Sequence, residues 1–140
     1  MVAAFQIHAT CVALDRRAVL ITGASGSGKS ALGLGLMALG CELVADDYTE
    51  LTRNGLHLTA HCPAPLQGLI EARGVGILQA AHIPQSTVAL AVDLDHTETD
   101  RLPPQRSVTW LNVTVPLLHK VESGHFAAAI LQYLRAGRRP

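Results

Sequence analysis

A glycine-rich octapeptide at residues 23–30, GASGSGKS, matches the complete P-loop pattern G-x-x-x-x-G-K-[ST]. Residues 18–22 (AVLIT) form an apolar, β-branched run typical of a buried strand, and residues 31–39 (ALGLGLMAL) are typical of a buried helix. Strand, loop and helix in this order form an anion site, because the loop amides and the helix N-terminus point at a phosphate. The sequence therefore predicts an α/β domain that binds a nucleoside triphosphate.

Each part of this loop has an expected task in nucleotide binding. Glycines let backbone N–H groups curl around phosphate oxygens, the lysine adds a full positive charge, and Ser30 offers a hydroxyl to Mg²⁺. The predicted phosphate-binding residues are Gly23, Ala24, Ser25, Gly26, Ser27, Gly28, Lys29 and Ser30. A nucleoside triphosphate and Mg²⁺ are thus the expected ligands.

Two adjacent aspartates, Asp46 and Asp47, follow the apolar residues 43–45. A buried strand there would place both carboxylates at its carboxyl end, the edge where open α/β sheets bind ligands. Neighbouring side chains on a strand point to opposite faces, so we expect one carboxylate to face Mg²⁺, directly or through water, and the other to face the acceptor. The alternative interpretation is a polar loop start or a helix cap.

Length and charge limit the remaining classes of protein. The 140 residues predict one domain, 1–140, and the 11 basic and 11 acidic residues balance, which argues against a general nucleic-acid or membrane-surface binder. No apolar run approaches a membrane span, and no signal peptide is visible. Three cysteines without C-x-x-C spacing predict free thiols in a reducing cytoplasm.

The rest of the chain is predicted to form short strands and few helices. Residues 5–14 and 18–22 predict a hairpin, Asn54-Gly55 predicts a second hairpin, and the first helix is expected to end near Gly40. Residues 86–94 and 108–115 predict further strands, with 93–101 as an acidic loop and Pro116 as the end of the last strand. An amphipathic helix is expected over 124–136.

Glu71 and Arg73 stand in an apolar, glycine-containing segment, residues 66–78. Charged groups in such a setting have to be paired, hydrated or bound to something. Two interpretations follow from the spacing alone. The two side chains form one internal ion pair, or they act as a metal ligand and a phosphate contact.

Four segments together resemble the catalytic domain of bacterial HPr kinase/phosphorylase, over residues 8–116. They are His8 with its strand, the P-loop, residues 44–47 (VADD), and residues 70–77 (IEARGVGI), which resemble the family's signature. The resemblance implies an α/β P-loop kinase fold of the HPr kinase/PEP carboxykinase type, with a mixed β-sheet and few helices. It also implies a short-form member that lacks the family's N-terminal domain.

The resemblance assigns roles at the nucleotide. Lys29 and the loop backbone would hold the β- and γ-phosphates of ATP. Ser30 and Glu71 would bind Mg²⁺, with Asp46 as the further carboxylate at the metal. Asp47 would be the general base that accepts the proton of a serine hydroxyl, and in the reverse, phosphorolytic direction it would return that proton.

The resemblance also implies roles for three further residues. His8 matches an active-site histidine of the family, although its position in a strand would by itself favour a structural role. Arg101, in the segment Asp-Arg-Leu, matches an active-site arginine that stabilises charge on the transferring phosphoryl group. Arg73 belongs to the signature and would support the nucleotide site. The segment after Pro116 lacks the family's Gly-Arg-Asn element linked with dephosphorylation, so the kinase direction is the expected one.

The leading prediction is a cytoplasmic, ATP- and Mg²⁺-dependent serine kinase, also a candidate phosphorylase, of HPr or an HPr-like phosphocarrier in phosphotransferase-system regulation. The resemblance implies a homo-oligomer, and pyrophosphate is the other candidate donor. Neither a nucleic acid nor a membrane is an expected partner. Two alternatives stand beside this prediction: a nucleotide-sensing regulatory P-loop module with little catalysis, and a kinase for a small metabolite.

Overall fold

The computed structural model describes residues 4–140, which form ten strands, two α-helices and one 3₁₀ turn. In chain order the elements are β1 (Ala4–Leu14), β2 (Arg17–Thr22), α1 (Lys29–Ala38), β3 (Glu42–Ala45), β4 (Tyr48–Asn54), β5 (His57–His61), the 3₁₀ turn (Ala64–Leu66), β6 (Leu69–Ala72), β7 (Gly76–Gln79), β8 (Gln85–Thr97), β9 (Arg106–Trp110), β10 (Val113–Lys120) and α2 (Phe126–Ala136). The predicted α/β class with a mixed sheet and few helices is confirmed.

Eight of these strands form one strongly curled sheet. Its order is β2-β1-β4-β5-β8-β10-β9, with β3 beside β1, and β2 also pairs with β8. The pairing therefore runs from β2 through β1, β4, β5 and β8 back to β2. The pairs β2–β8 and β8–β10 are parallel, whereas the β1–β2 and β4–β5 hairpins are antiparallel, as the sequence predicted. Strands β6 and β7 form a separate hairpin.

Alternation along the strands divides the apolar residues between two faces. On β2, Val19 and Ile21 pack towards the helices, whereas Ala18 and Leu20 pack into the inside of the curl. Helix α2 covers the first face with four buried side chains, namely Phe126, Ile130, Leu131 and Leu134. The predicted amphipathic helix is therefore confirmed, although it begins at Phe126.

Helix α1 lies directly against β1 at a glycine. A Cβ atom added to Gly33 would lie 2.9 Å from Cγ2 of Thr10, closer than real contacts of this kind. The helix ends as predicted near Gly40, which has a φ of +115° and donates its N–H to the carbonyl of Met37 at 3.1 Å. The close approach brings the start of α1 next to the carboxyl end of β3.

Three predictions about the second half of the chain were wrong. Residues 93–101 were predicted as a loop, but residues 93–97 are the end of strand β8. Strand β8 continues to Thr97 because its last residues pair with β10. Residues 108–115 are two strands, since Leu111 and Asn112 adopt φ values of 52° and 62° and form a tight two-residue turn. Pro116 lies inside β10, opposite Ser107, and does not end the strand.

Candidate active site

One cavity of about 570 Å³ lies where the P-loop, the end of β3 and the β6–β7 hairpin meet. Its lining combines glycines and hydroxyls of the loop with charged side chains from three other segments. The lining residues are His8, Ser25, Gly26, Gly28, Lys29, Ser30, Ala31, Leu34, Asp46, Asp47, Glu71, Ala72, Arg73 and Val75. Most of the site residues predicted from the sequence are therefore brought together here.

The P-loop is held in a closed turn by its own lysine. Lys29 is 7% exposed, and its Nζ donates hydrogen bonds to the carbonyls of Gly23 at 2.8 Å and Ala24 at 3.0 Å. An ammonium group has three N–H donors, so one is left for a ligand in the cavity. The buried hydroxyl of Ser27 has no hydrogen-bond partner among the described residues. The loop therefore has donors to offer to phosphate oxygens.

The buried carboxylate of Asp46 is the fixed centre of the site. Its Oδ1 accepts hydrogen bonds from the hydroxyls of Thr10 and Ser30, both at 2.7 Å, and its Oδ2 accepts the backbone N–H of Glu71 at 3.0 Å. Asp46 thereby joins β1, the start of α1 and β6. A buried carboxylate that accepts this many hydrogen bonds is held in one orientation.

Asp47 contacts the same strand as Asp46, β1, but through a different residue and in an exposed position. Its Oδ1 lies 2.7 Å from Nε2 of His8 on β1, and the two side chains are 62% and 40% exposed, respectively. The backbone of Asp47 has a φ of 68°, and its carbonyl accepts the N–H of Ala9 at 3.0 Å. The two adjacent carboxylates thus have different surroundings, one buried and one exposed, although both lie after the end of β3 at Ala45 and not within a strand.

Glu71 and Arg73 both line the cavity and do not form an ion pair with each other; within residues 4–140 the ion pairs lie elsewhere. Both side chains are exposed. The guanidinium of Arg73 lies near the P-loop, 4.0 Å from the position of a Cβ atom added to Gly26. The interpretation as one internal ion pair is therefore wrong.

The donors fit Mg²⁺, which usually binds through one or two carboxylates, waters and substrate phosphates. Ser30, Asp46 and Glu71 bring one hydroxyl and two carboxylates to the same cavity. No cluster of three or more histidine, cysteine or acidic side chains suited to a metal occurs in the described part of the chain. This set suits an ion shared with a nucleotide better than a metal held by protein alone.

Comparison with known proteins decides the family. The sequence model of the HPr Serine kinase C-terminal domain matches residues 1–133. The chain belongs to this family. A solved structure, the Hpr(Ser) kinase/phosphatase from Coxiella burnetii, superimposes with a TM-score of 0.78 at 27% sequence identity, covering 94% of each chain. The fold described above is thus that of the HPr serine kinase C-terminal domain.

Curated relatives match over shorter segments. An HPr kinase/phosphorylase from Xylella fastidiosa is 44% identical over 78 residues, which is 55% of this chain and 25% of the relative. Another from Bordetella pertussis is 54% identical over 61 residues, 43% of this chain and 20% of the relative. The aligned region thus spans at most about a quarter of the length of these relatives. Neither described helix is long and apolar enough to cross a membrane.

Four predicted site residues of this HPr serine kinase domain do not line the cavity: Gly23, Ala24 and Ser27, which belong to the P-loop itself, and Arg101, which lies on another segment. Arg101 is exposed on the segment between β8 and β9, and it is not among the residues that line the cavity. The base of that segment is fixed by Glu98, whose carboxylate accepts two hydrogen bonds from Arg106, each at 3.1 Å. Within one chain the structure does not bring Arg101 to Asp47.

The sequence interpretation missed two contributors to the site. Thr10 donates to Asp46, and its position two residues after His8 on the same face of β1 is a signal that could have identified it. Asp95 accepts the backbone N–H of Ala24 at 2.9 Å. No local pattern marks Asp95, because its place beside the P-loop depends on the parallel pairing of β8 with β2.

Proposed function

We propose that this domain transfers the γ-phosphoryl group of ATP, with Mg²⁺, to a serine hydroxyl of HPr or an HPr-like phosphocarrier. The observation that carries the proposal is that the His8–Asp47 pair lines the same cavity as the P-loop. A phosphate-binding loop alone fits any nucleotide-binding protein, whereas a carboxylate oriented beside it has a use in proton transfer. The family's relatives, named for HPr and for serine, supply the acceptor class.

The residues divide into three tasks. Lys29 and the amides of the P-loop bind the phosphates and orient the γ-phosphoryl group. Ser30, Asp46 and Glu71 would hold Mg²⁺, and the ion would neutralise charge on the phosphates. Asp46 would do so through water, because its two oxygens already accept three hydrogen bonds from the protein. Asp47 accepts the serine proton as the oxygen attacks. His8 orients that carboxylate through Nε2.

In the reverse direction inorganic phosphate attacks the phosphoserine, the serine oxygen leaves, and pyrophosphate forms. Protonated Asp47 then returns its proton to the leaving oxygen, since the same group has to serve both directions of one reaction. We include this phosphorolysis in the proposal as the second activity. Arg73, exposed beside the P-loop, supports the phosphate groups in both directions.

A protein acceptor suits the exposure of the reactive pair. Asp47 is 62% and His8 40% exposed. A serine on the surface of another protein can reach such a carboxylate directly. A small-metabolite kinase generally encloses its acceptor and excludes water, which this open arrangement does not do. The exposure therefore favours a protein serine over a metabolite.

The proposal also places the domain in the cytoplasm and makes it a subunit of a homo-oligomer. All three cysteines, Cys11, Cys41 and Cys62, are free and buried, and burial raises their thiol pKa values, as suits structural thiols in a reducing compartment. Arg101 lies outside the cavity of its own chain, which is consistent with a contribution to a neighbouring copy. Light scattering on the purified protein measures the assembly.

The deciding experiment is a transfer assay with ATP, Mg²⁺ and a purified HPr-type carrier, read by intact mass. We expect one added phosphate on a serine of the carrier. Asp47→Asn should abolish transfer while ATP affinity stays within about twofold, because the side chain keeps its shape and loses its basicity. Asp15→Asn, in the β1–β2 turn at the other end of the strand that leads to the P-loop, is the matched control and should be fully active.

The same assay separates the alternatives. ATP binding without transfer to any carrier, together with an output that Asp47→Asn leaves unchanged, would replace the kinase by a nucleotide-sensing module. ATP hydrolysis stimulated by a small molecule but not by the carrier would favour a metabolite kinase. Addition of phosphate to the phosphorylated carrier tests the reverse reaction through the release of pyrophosphate.

A further inference from the structure

The entrance of the P-loop is bordered by the end of β8, a segment with no part in the proposed chemistry. Residue 22, directly before the loop, lies opposite Asp93 in the parallel β2–β8 register. The hydroxyl of Thr22 donates to the carbonyl of Val92 at 3.2 Å. A Cβ atom added to Gly23 would lie 3.2 Å from Cβ of Leu94. The first residues of the loop therefore pack closely on β8.

From this border one carboxylate reaches into the loop. Oδ1 of Asp95 accepts the backbone N–H of Ala24 at 2.9 Å, across 71 positions of sequence. The carbonyl of the same Ala24 accepts a hydrogen bond from Lys29 at 3.0 Å. Residue 24 is thus fixed on its N–H side by Asp95 and on its C=O side by the phosphate-binding lysine.

Asp95 is itself held by its neighbours. Its backbone N–H donates to Oδ1 of Asp93 at 2.8 Å, and Oδ2 of Asp93 lies 2.7 Å from Nδ1 of His96. The ring of His96 stacks on that of His119 of β10, with 5.4 Å between centroids. A continuous series of contacts therefore connects β10 to the P-loop.

We propose that Asp95 is a positioning residue for nucleotide binding, which holds the entrance of the P-loop through the N–H of Ala24 in the geometry that phosphate requires. The proposal rests on the proposed function, since it concerns the same nucleotide. Asp95 is not among the residues that line the cavity, so it acts through the loop backbone. A negative charge near bound phosphates is electrostatically unfavourable, so a favourable effect has to come from the hydrogen bond and not from the charge.

Two substitutions separate the hydrogen bond from the charge. Asp95→Asn keeps a carbonyl acceptor for Ala24 and removes the charge, whereas Asp95→Ala removes both. One hydrogen bond to a loop amide corresponds to about a three- to tenfold change in an equilibrium constant. We therefore expect Asp95→Ala to weaken ATP binding by about three- to tenfold. Asp95→Asn should bind ATP as tightly as the unchanged protein or slightly more tightly.

The readouts are ATP affinity by calorimetry and hydrogen exchange of the Ala24 amide by NMR in the protein without nucleotide. Exchange should be about tenfold faster in Asp95→Ala and nearly unchanged in Asp95→Asn, with Asp15→Asn as the charge-matched control far from the loop. Thermal unfolding of each variant excludes a general loss of structure. Hydrogen exchange is measured without ATP. This test of the hydrogen bond therefore remains valid even if the transfer assay shows no kinase activity.

Two results would overturn the proposal. Equal Ala24 exchange in Asp95→Ala and the unchanged protein would mean that the hydrogen bond does not hold the loop. Equal strengthening of ATP binding in both variants would mean that Asp95 acts on the phosphates by charge alone.

Discussion

The imidazole Nε2 of His8 lies 2.7 Å from Oδ1 of Asp47, although 39 residues separate them in the chain. The antiparallel register of β1 and β4 produces this contact, because it places His8 directly opposite Tyr48, the residue after Asp47. The rings of His8 and Tyr48 are 5.4 Å apart and tilted by 38°. The imidazole is therefore held between a carboxylate on one side and an aromatic ring on the other.

Replacing His8 should affect the rate of transfer and not the binding of nucleotide. In His8→Ala the Asp47 carboxylate loses its partner and can rotate away from the serine. We expect kcat to fall about 10- to 100-fold, part of the 10²–10⁴ that a positioned acid–base group contributes, with KM for ATP within about twofold. His57→Ala, an exposed histidine on β5, is the control and should be fully active. An unchanged kcat in His8→Ala would show that His8 has no role in phosphoryl transfer.

The contacts of Asp46 predict a loss of stability when its side chain is removed. Asp46→Ala leaves the hydroxyls of Thr10 and Ser30 and the N–H of Glu71 without their acceptor. Because buried polar groups without partners are unfavourable, the free energy of unfolding should fall by about 3 kcal/mol, measured in urea. Asp46→Asn keeps an acceptor oxygen and should lose less. Equal stability of Asp46→Ala and the unchanged protein would show that water replaces the carboxylate.

Local patterns in the sequence predicted much of the fold and the centre of the site. The strand–glycine–helix order around residues 23–30 determines the P-loop, and the alternation on β2 determines which side chains face the helices. The spacing of apolar residues in α2 likewise predicts its buried face. These features depend on residues close in sequence, so their physical causes are visible without the tertiary structure.

Contacts that depend on the pairing of distant strands were not predictable. Asp95 reaches Ala24 only because β8 lies parallel to β2, and no local signal specifies a parallel neighbour. The turn at Leu111 and Asn112 was missed because its apolar first residue resembles a strand interior. The position of Arg101 outside the cavity follows from the path after β8 and was also not visible in the sequence.

The two glycines inside α1 should respond in opposite ways to alanine. Alanine favours the helix by about 1 kcal/mol over glycine. At Gly35 the new methyl group would lie 3.8 Å from Ala127, an ordinary contact, so Gly35→Ala should be stabilising by up to about 1 kcal/mol. At Gly33 it would lie 2.9 Å from Thr10, so Gly33→Ala should be destabilising by about 1–3 kcal/mol.

Urea unfolding of the two glycine variants side by side provides the measurement, and each variant is the control for the other. Gly33→Ala would also displace Thr10, which donates to Asp46, so its ATP-dependent activity should fall as well. Equal stabilisation by both substitutions would contradict the close packing of α1 on β1.

The Glu98–Arg106 pair predicts a dependence of stability on pH. Hydrogen bonds from Arg106, together with the N–H groups of Asp100 and Thr99, hold the pKa of Glu98 below its ordinary value of 4.5. Because the folded pKa is the lower one, the contribution to stability is complete above the unfolded pKa and is lost as pH falls through the folded pKa. The difference in Tm between the unchanged protein and Glu98→Gln should therefore be largest near pH 7 and shrink below about pH 4. The exposed Glu122→Gln should show no such trend, and a Tm difference for Glu98→Gln that is the same at every pH would contradict the pairing.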